Sequence, residues 1–248
     1  LKQLAWSPLV NTILYQNLPL LQSPSPSASS HHDVIDTTLE GLLAVHIRRG
    51  DFYKHCLDRF KYNSEYNGWN SFPDYPDVFD PPSLTEPSVI SAAGRLTALS
   101  PREDSYTRHC YPSLDQIVDR INLVRDEWYQ QTGRTLNRVY VMTNAKSGFL
   151  DALRRRLTTT TTSESRSWQA VVTTKDLSVP RHSVEVVVAA DMLIGEKAEV
   201  FIGNGVLLEV TFLADDPAFA QPVLVPLFQH QPDQKINRSA RDELSLLA

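Results

Sequence analysis

The segment Gly41-Leu-Leu-Ala-Val-His-Ile-Arg-Arg-Gly-Asp-Phe52 constrains this chain more than any other. Residues 42–47 form a short apolar run that reads as a buried strand, and it empties into Arg48-Arg49-Gly50-Asp51. Two fixed positive charges therefore stand beside a residue that tolerates unusual backbone twist. In an open α/β sheet, ligands bind beyond the carboxyl ends of the strands, which is where these arginines would sit. A guanidinium presents a planar fork that matches phosphate oxygens, so a strand ending in Arg-Arg-Gly suggests a pyrophosphate clamp. The plainer alternative is a surface arginine pair neutralised by Asp51.

Elsewhere the chain alternates helical and strand patterns. Residues 6–18 are apolar enough for a helix or for packing against a neighbour, and residues 22–32 read as a Ser/Pro/His linker. Leu114, Ile117, Val118, Ile121, Val124 and Trp128 fall on one helical face, with Gly133 as the stop. Strands are expected at 139–142, 169–173 and 200–202, and helices at 147–157 and 184–196. Arg154-Arg155-Arg156 reads as a solvated face near a helix C-terminus, where positive charge is favourable. Strand–helix alternation with short apolar strands implies a Rossmann-like α/β domain, a parallel sheet with helices on both faces. Residues 62–112 are rich in Pro and aromatics, show little regular period, and read as a long insert whose Tyr66, Trp69, Phe72 and Tyr75 could line an acceptor groove or cover a core edge.

Composition narrows the functional classes. A net charge of −5 leaves no basic stripe to neutralise phosphates over a long footprint, which argues against nucleic acid as the main partner. Hydrophobic residues at 42% and charged residues at 21% are an ordinary balance for a water-soluble domain. No apolar run approaches the roughly 18–20 residues needed to span a bilayer. The N-terminal residues 1–21, interrupted by Trp6, Pro8, Asn11 and Asn17, do not read as a signal peptide, and the missing initial Met suggests a piece of a longer protein.

The two cysteines, Cys56 and Cys110, flank the insert, each next to a histidine. A disulfide, a zinc site made of the two His-Cys pairs, and two free thiols are all open. The disulfide is favoured, because adjacent ligands fit poorly with the usual two-to-four-residue zinc spacing. It would suit an oxidising, secretory compartment.

The wording around the arginines carries a resemblance. His46-Ile-Arg-Arg-Gly-Asp-Phe52 closely resembles the His-x-Arg-Arg-Gly-Asp-Phe motif of the GDP-fucose O-fucosyltransferases, a family grouped with the α1,6-fucosyltransferases. Two further segments match in order: Arg138-Val-Tyr-Val-Met-Thr-Asn144, and Ala190-Asp191 followed by Ala198-Glu-Val-Phe-Ile-Gly-Asn204. The resemblance covers roughly residues 40–205 and is closest to divergent members from filamentous fungi. It implies the C-terminal, donor-binding half of a GT-B glycosyltransferase: a residual N-terminal segment over 1–40, a nucleotide-sugar-binding domain over 41–205 and a divergent tail over 206–248.

The activity the resemblance implies is inverting, metal-independent transfer of fucose from GDP-fucose to a hydroxyl on a protein or glycan of unknown identity. It calls for no cofactor, and the ER or Golgi lumen would be the setting. Residue by residue, it assigns donor binding to His46, Arg48, Arg49, Asp191, Gly203, Asn204 and Gly205. Arg48 would contact the β-phosphate, and Arg49 would support the pocket or reach a second oxygen. His46 would touch guanosine, unless it is a hydrogen-bonded core histidine. Asp191 would accept from guanine N1–H and N2–H, unless it is a helix-surface aspartate. Gly203, Asn204 and Gly205 would let backbone N–H groups approach a phosphate.

The acceptor-activating residue of these enzymes lies in the other half, so no catalytic base is named. One departure matters: Leu207-Leu208-Glu209 stands where the family carries paired small hydroxyl residues on the pyrophosphate. The competing reading is therefore a non-catalytic or truncated relative that keeps at most a guanine-nucleotide pocket or an interaction surface.

Overall fold

The computed structural model describes residues 5–22, 38–62, 101–159, 167–203 and, as backbone, 223–226. Five parallel strands make one sheet in the order β3-β2-β1-β4-β5: β1 Leu39–Ile47, β2 Arg138–Thr143, β3 Ala170–Thr173, β4 Ala198–Gly203 and β5 Val223–Pro226. Six helices accompany it: α1 Pro8–Leu21, α2 Phe52–Lys61, α3 Pro101–Cys110, α4 Leu114–Thr132, α5 Ser147–Thr158 and α6 Val187–Lys197. The expected α/β architecture with helices on both faces is what forms.

Period-two alternation along β1 divides the core. Leu43, Val45 and Ile47 point to the face covered by α4 and α5, where they meet Ile117, Ile121, Val124, Leu153 and Trp168. Leu39, Leu42 and Ala44 point to the opposite face, where α1 and α6 bring Val10, Leu14, Leu193 and Ile194. Both faces are apolar because a parallel sheet must be covered on both sides. The α4 stripe read from the sequence is the buried face of that helix, started by a Ser113–Gln116 capping box and ended at Gly133.

Several expectations need correcting. The segment before residue 41 is not merely residual: α1 packs on the sheet against α6, and Asn17, buried, exchanges hydrogen bonds with the backbone of Ser178 (3.0 and 2.7 Å). The sheet does not end at 205, because β5, within the stretch read as a divergent tail, pairs with β4 in register (Val200 with Val223). The helix expected from 184 starts later, after a 3-10 turn over Arg181–Val186. Arg154 is not a solvated charge; it pairs with Asp176 and donates to the Val171 carbonyl at 3.2 Å. The insert read as aperiodic ends in α3, and α2 over Phe52–Lys61 was not anticipated. The aromatics Tyr66, Trp69, Phe72 and Tyr75 lie outside the described residues.

Cys56 on α2 and Cys110 at the end of α3 form a disulfide, with their Cα atoms 5.7 Å apart. Both sulfurs are spent in this bond, which removes the zinc and free-thiol alternatives. Around it Phe52 and Tyr106 are buried, with Phe60 and Tyr111 packed against them, so the two helices share a small core of their own. Among the described residues no helix is long and apolar enough to cross a membrane, and no cluster of three or more His, Cys, Asp or Glu side chains could hold a metal.

Closing a loop between positions 54 residues apart contributes about 3–4 kcal/mol in the chain-entropy picture. Non-reducing peptide mapping should therefore recover a Cys56–Cys110 cross-link, and a dithiol reductant should lower the thermal midpoint. Two alkylatable thiols in protein made in an oxidising compartment would contradict this.

Candidate functional site

β2 and β3 extend the sheet on one side of β1, and β4 and β5 on the other. The chain therefore reverses its winding direction between β1 and β4. Loops leaving adjacent strands part at such a point, and a crevice opens beyond their carboxyl ends. Arg48 and Arg49 leave β1 on that edge, and Gly203, buried, closes β4 next door, with Val45 paired to Ile202. Three of the expected residues, His46, Arg48 and Arg49, are thus on or just beyond one strand, and Gly203 is on its neighbour. Asn204 and Gly205, like Leu207, Leu208 and Glu209, lie outside the described residues.

The two arginines are treated differently. Arg49 is 7% exposed, its guanidinium held between the Tyr111 ring at 4.1 Å and the Phe149 ring at 4.5 Å. Its Nη2 donates to the Pro112 carbonyl, and its backbone N–H donates to Asn144 Oδ1 at 2.8 Å. Burial lowers the Arg49 pKa, and the Tyr111 contact opposes that shift. Arg49 is therefore packed into the protein at this edge rather than presented to solvent. Arg48 is half-buried, with its guanidinium 5.1 Å from the Phe52 ring centroid. Neither arginine forms an ion pair with Asp51 among the described residues, so a surface pair neutralised by that aspartate is not what forms.

Gly50 is what lets the chain turn here. Its φ is +61°, and a Cβ at this position would come within 2.9 Å of Asn144 Nδ2. A side chain would face backbone strain and a clash together. Asn144 follows β2, so the Arg-Arg-Gly turn and the Thr143-Asn144 turn, far apart in sequence, hold each other in place.

His46 follows Ala44 on the α6 face of the sheet and stands opposite Met142. Burial, reinforced by the Arg48 charge, lowers its pKa, so the ring is neutral near pH 7. His46 Nδ1, Arg48 Nε and Arg49 Nε are all buried and have no hydrogen-bond partner among the described residues. Buried polar atoms are nearly always paired, and here three unmet nitrogens fall within four residues at one strand end.

Asp191 lies on the same face but in its own network. Its Oδ1 accepts from the Tyr140 hydroxyl at 2.5 Å, and its two oxygens accept from the Thr174 hydroxyl at 3.1 and 3.0 Å. It is not a helix-surface aspartate. Burial raises its pKa to about 6, against the two hydrogen bonds, which lower it. Tyr140, itself fully buried, is pushed well above the ordinary phenol range by burial and by the adjacent carboxylate.

Sequence reasoning missed Tyr111, Pro112 and Phe149 as partners of Arg49. The His-Cys-Tyr wording at 109–111 was read for a disulfide or a zinc pair, not for its tyrosine, and Phe149 lies in an ordinary helix start.

No family model and no curated protein matches this chain. Among solved structures, it is similar to POFUT1 in complex with GDP, with a TM-score of 0.40 and 15% identity, covering 82% of this chain and 42% of that one. POFUT1 in complex with GDP-fucose gives a TM-score of 0.37 at 15% identity, covering 82% and 41%. The chain thus spans less than half the length of these proteins, and likeness at this level transfers no residue role.

The Asp191 shift has a direct consequence for stability. Its folded pKa is about 6 against 3.8 for the unperturbed group, so the folded state binds the proton more tightly. The stability this adds is present in full below the unfolded value and is lost as pH rises to about 6. The difference is on the order of 2–3 kcal/mol. Asp191→Asn, which stays uncharged throughout, should flatten the stability profile across this window in denaturant titrations. Parallel profiles for the two proteins would show that Asp191 has an ordinary pKa.

Proposed function

We propose that this chain is the donor-binding half of a fucosyltransferase-like protein and that it holds the diphosphate of GDP-fucose at the carboxyl end of β1. The observation that carries this reading is the group of unmet buried nitrogens on His46, Arg48 and Arg49 at the switch point of the sheet. The His46–Phe52 wording, shared with the GDP-fucose O-fucosyltransferases, supports the choice of ligand.

In this reading each side chain has one task. Arg48 places a guanidinium against the β-phosphate, the group that gathers negative charge as the bond to fucose C1 breaks. Preorganised donors aimed at developing charge are worth roughly 2.7–4 kcal/mol in comparable sites. Arg49, clamped by Tyr111, Phe149 and the Pro112 carbonyl, sets the backbone from which Arg48 projects. The neutral His46 ring offers Nδ1 to the nucleoside without adding a second cation beside Arg48. Asp191, when ionised, keeps lone pairs free beyond those engaged by Tyr140 and Thr174, enough to accept from guanine N1–H and N2–H.

A second reading, a relative that binds nucleotide without transferring sugar, is favoured by Leu207-Leu208-Glu209. By the resemblance this stretch would face the pyrophosphate, where apolar side chains would offer no hydrogen bonds and a carboxylate would repel it. Titration calorimetry with GDP, ADP and GDP-fucose separates the outcomes. GDP should bind more tightly than ADP. Arg48→Ala should cost about 1.5–3 kcal/mol, roughly ten- to a hundredfold in affinity. Arg48→Lys should recover only part of that, since an ammonium lacks the planar fork. Equal GDP affinity in wild type and Arg48→Ala would remove the clamp.

Repeating the titration near pH 5 tests Asp191, whose carboxylate must be ionised to accept from guanine. The preference for GDP over ADP should shrink below about pH 6. A preference that persists there would remove Asp191 from the nucleobase site.

A further inference from the structure

We propose that Tyr111 is a positioning residue for the site at the end of β1. It acts through Arg49, and α2 and the Cys56–Cys110 disulfide hold it in place. The inference deepens the donor-binding reading and rests on it for the ligand, though the positioning itself can be measured without one.

Tyr111 follows Cys110 directly, so the disulfide to Cys56 fixes the backbone from which its ring projects. One face of the environment is Arg49, whose guanidinium lies 4.1 Å from the ring centroid. Another is Tyr53 on α2, in an edge contact with centroids 5.4 Å apart. The next residue, Pro112, supplies the carbonyl that accepts from Arg49 Nη2. Two successive residues after the disulfide therefore grip one guanidinium, and α2 holds the first of them by a ring contact and the residue before it by a covalent bond.

Arg48 is bonded to Arg49 through a single peptide, and between them they have little freedom. The Arg49 backbone N–H is pinned to Asn144 and its side chain to Tyr111, Phe149 and Pro112. With both ends of Arg49 held, the main-chain direction entering Gly50 is fixed, and so is the direction in which Arg48 projects. If the Tyr111 ring is removed, Arg49 keeps Phe149 on one side only, and the turn gains freedom at the residue that should point at the ligand. The ring face holds the cation and the Tyr111 hydroxyl supports the same charge, so removing the hydroxyl alone should loosen Arg49 less than removing the ring.

The test uses the 248-residue chain with Tyr111→Leu and Tyr111→Phe. Phenylglyoxal labels accessible guanidiniums, and peptide mapping by mass spectrometry reads Arg48 and Arg49 separately. In wild type Arg49 should react slowly and Arg48 faster. Tyr111→Leu should raise the Arg49 rate roughly three- to thirtyfold, the range expected for a lost cation–π contact. Tyr111→Phe, which keeps the ring and loses the hydroxyl, should stay well below Tyr111→Leu. Under calorimetry GDP affinity should fall by a similar factor in Tyr111→Leu and fall less in Tyr111→Phe, with thermal midpoints measured alongside to separate positioning from unfolding.

An Arg49 rate unchanged by Tyr111→Leu overturns the proposal. So does a released Arg49 with undiminished GDP affinity, and so does a Tyr111→Phe variant that behaves like Tyr111→Leu. If wild type binds no GDP, the donor-binding reading fails on its own, while the Arg49 labelling still decides whether Tyr111 positions that side chain.

Discussion

A guanidinium taken out of water beside a strand end is the interaction around which this structure is arranged. Arg49 is buried at the edge where β1 leaves the sheet, and a charge taken out of water makes demands on its neighbours. Meeting them draws in Tyr111 and Pro112 from the end of α3, Phe149 from the start of α5 and Asn144 from the end of β2. Three separate stretches of chain converge on this one residue, two on its guanidinium and one on its backbone N–H. The neighbouring Arg48 is left with its Nε unmet, so rigidity and unspent hydrogen-bonding capacity lie side by side.

The opposite end of the same strand is fixed by an anion. Glu199, buried at the start of β4, accepts from the Gly41 N–H at 2.5 Å and from Trp128 Nε1 at 2.9 Å, and it pairs with Arg134 at 2.7 Å. Gly41, with φ at +74°, sits where the pairing of β1 with β4 shifts register between Leu39 and Leu43. A bulge of this kind uses a residue without a Cβ, and here one would approach Asn137 Oδ1 at 3.0 Å. β1 is thus located along its length by a carboxylate at one end and a guanidinium at the other.

How much of this could be read from the sequence follows from the range of the forces involved. Helix α4 was legible because its stripe repeats every three to four residues and its ends carry local signals, Ser113 and Gly133. Strands β2, β3 and β4 were legible as short apolar runs. Helix α2 was not, since Phe52 and Cys56 are its only buried residues and its remaining apolar side chains, Tyr53, Leu57 and Phe60, are interleaved with charged ones. Strand β5 is four residues long and was set aside with an unfamiliar tail. At the site, His46, Arg48 and Arg49 stood out by wording, but the division of labour between the arginines did not, because it depends on Tyr111 and Phe149, 62 and 100 positions away from Arg49. Asp191 was found by resemblance, yet its tie to Tyr140 spans 51 residues and leaves no local trace.

The bond between Cys56 and Cys110 also has a topological meaning. The chain leaves the sheet through α2 and returns to it through α4, and the two cysteines bring exit and return within 5.7 Å. Whatever lies between them is an excursion with a fixed doorway. Lengthening a closed loop costs only about 0.6 kcal/mol per doubling, and that cost falls on the loop rather than on the sheet. Outside the Phe60 and Tyr106 contacts, a change of length between the doorposts would therefore leave the strand end beside them largely unstrained. The cross-link marks the border between the strand end and the stretch attached to it.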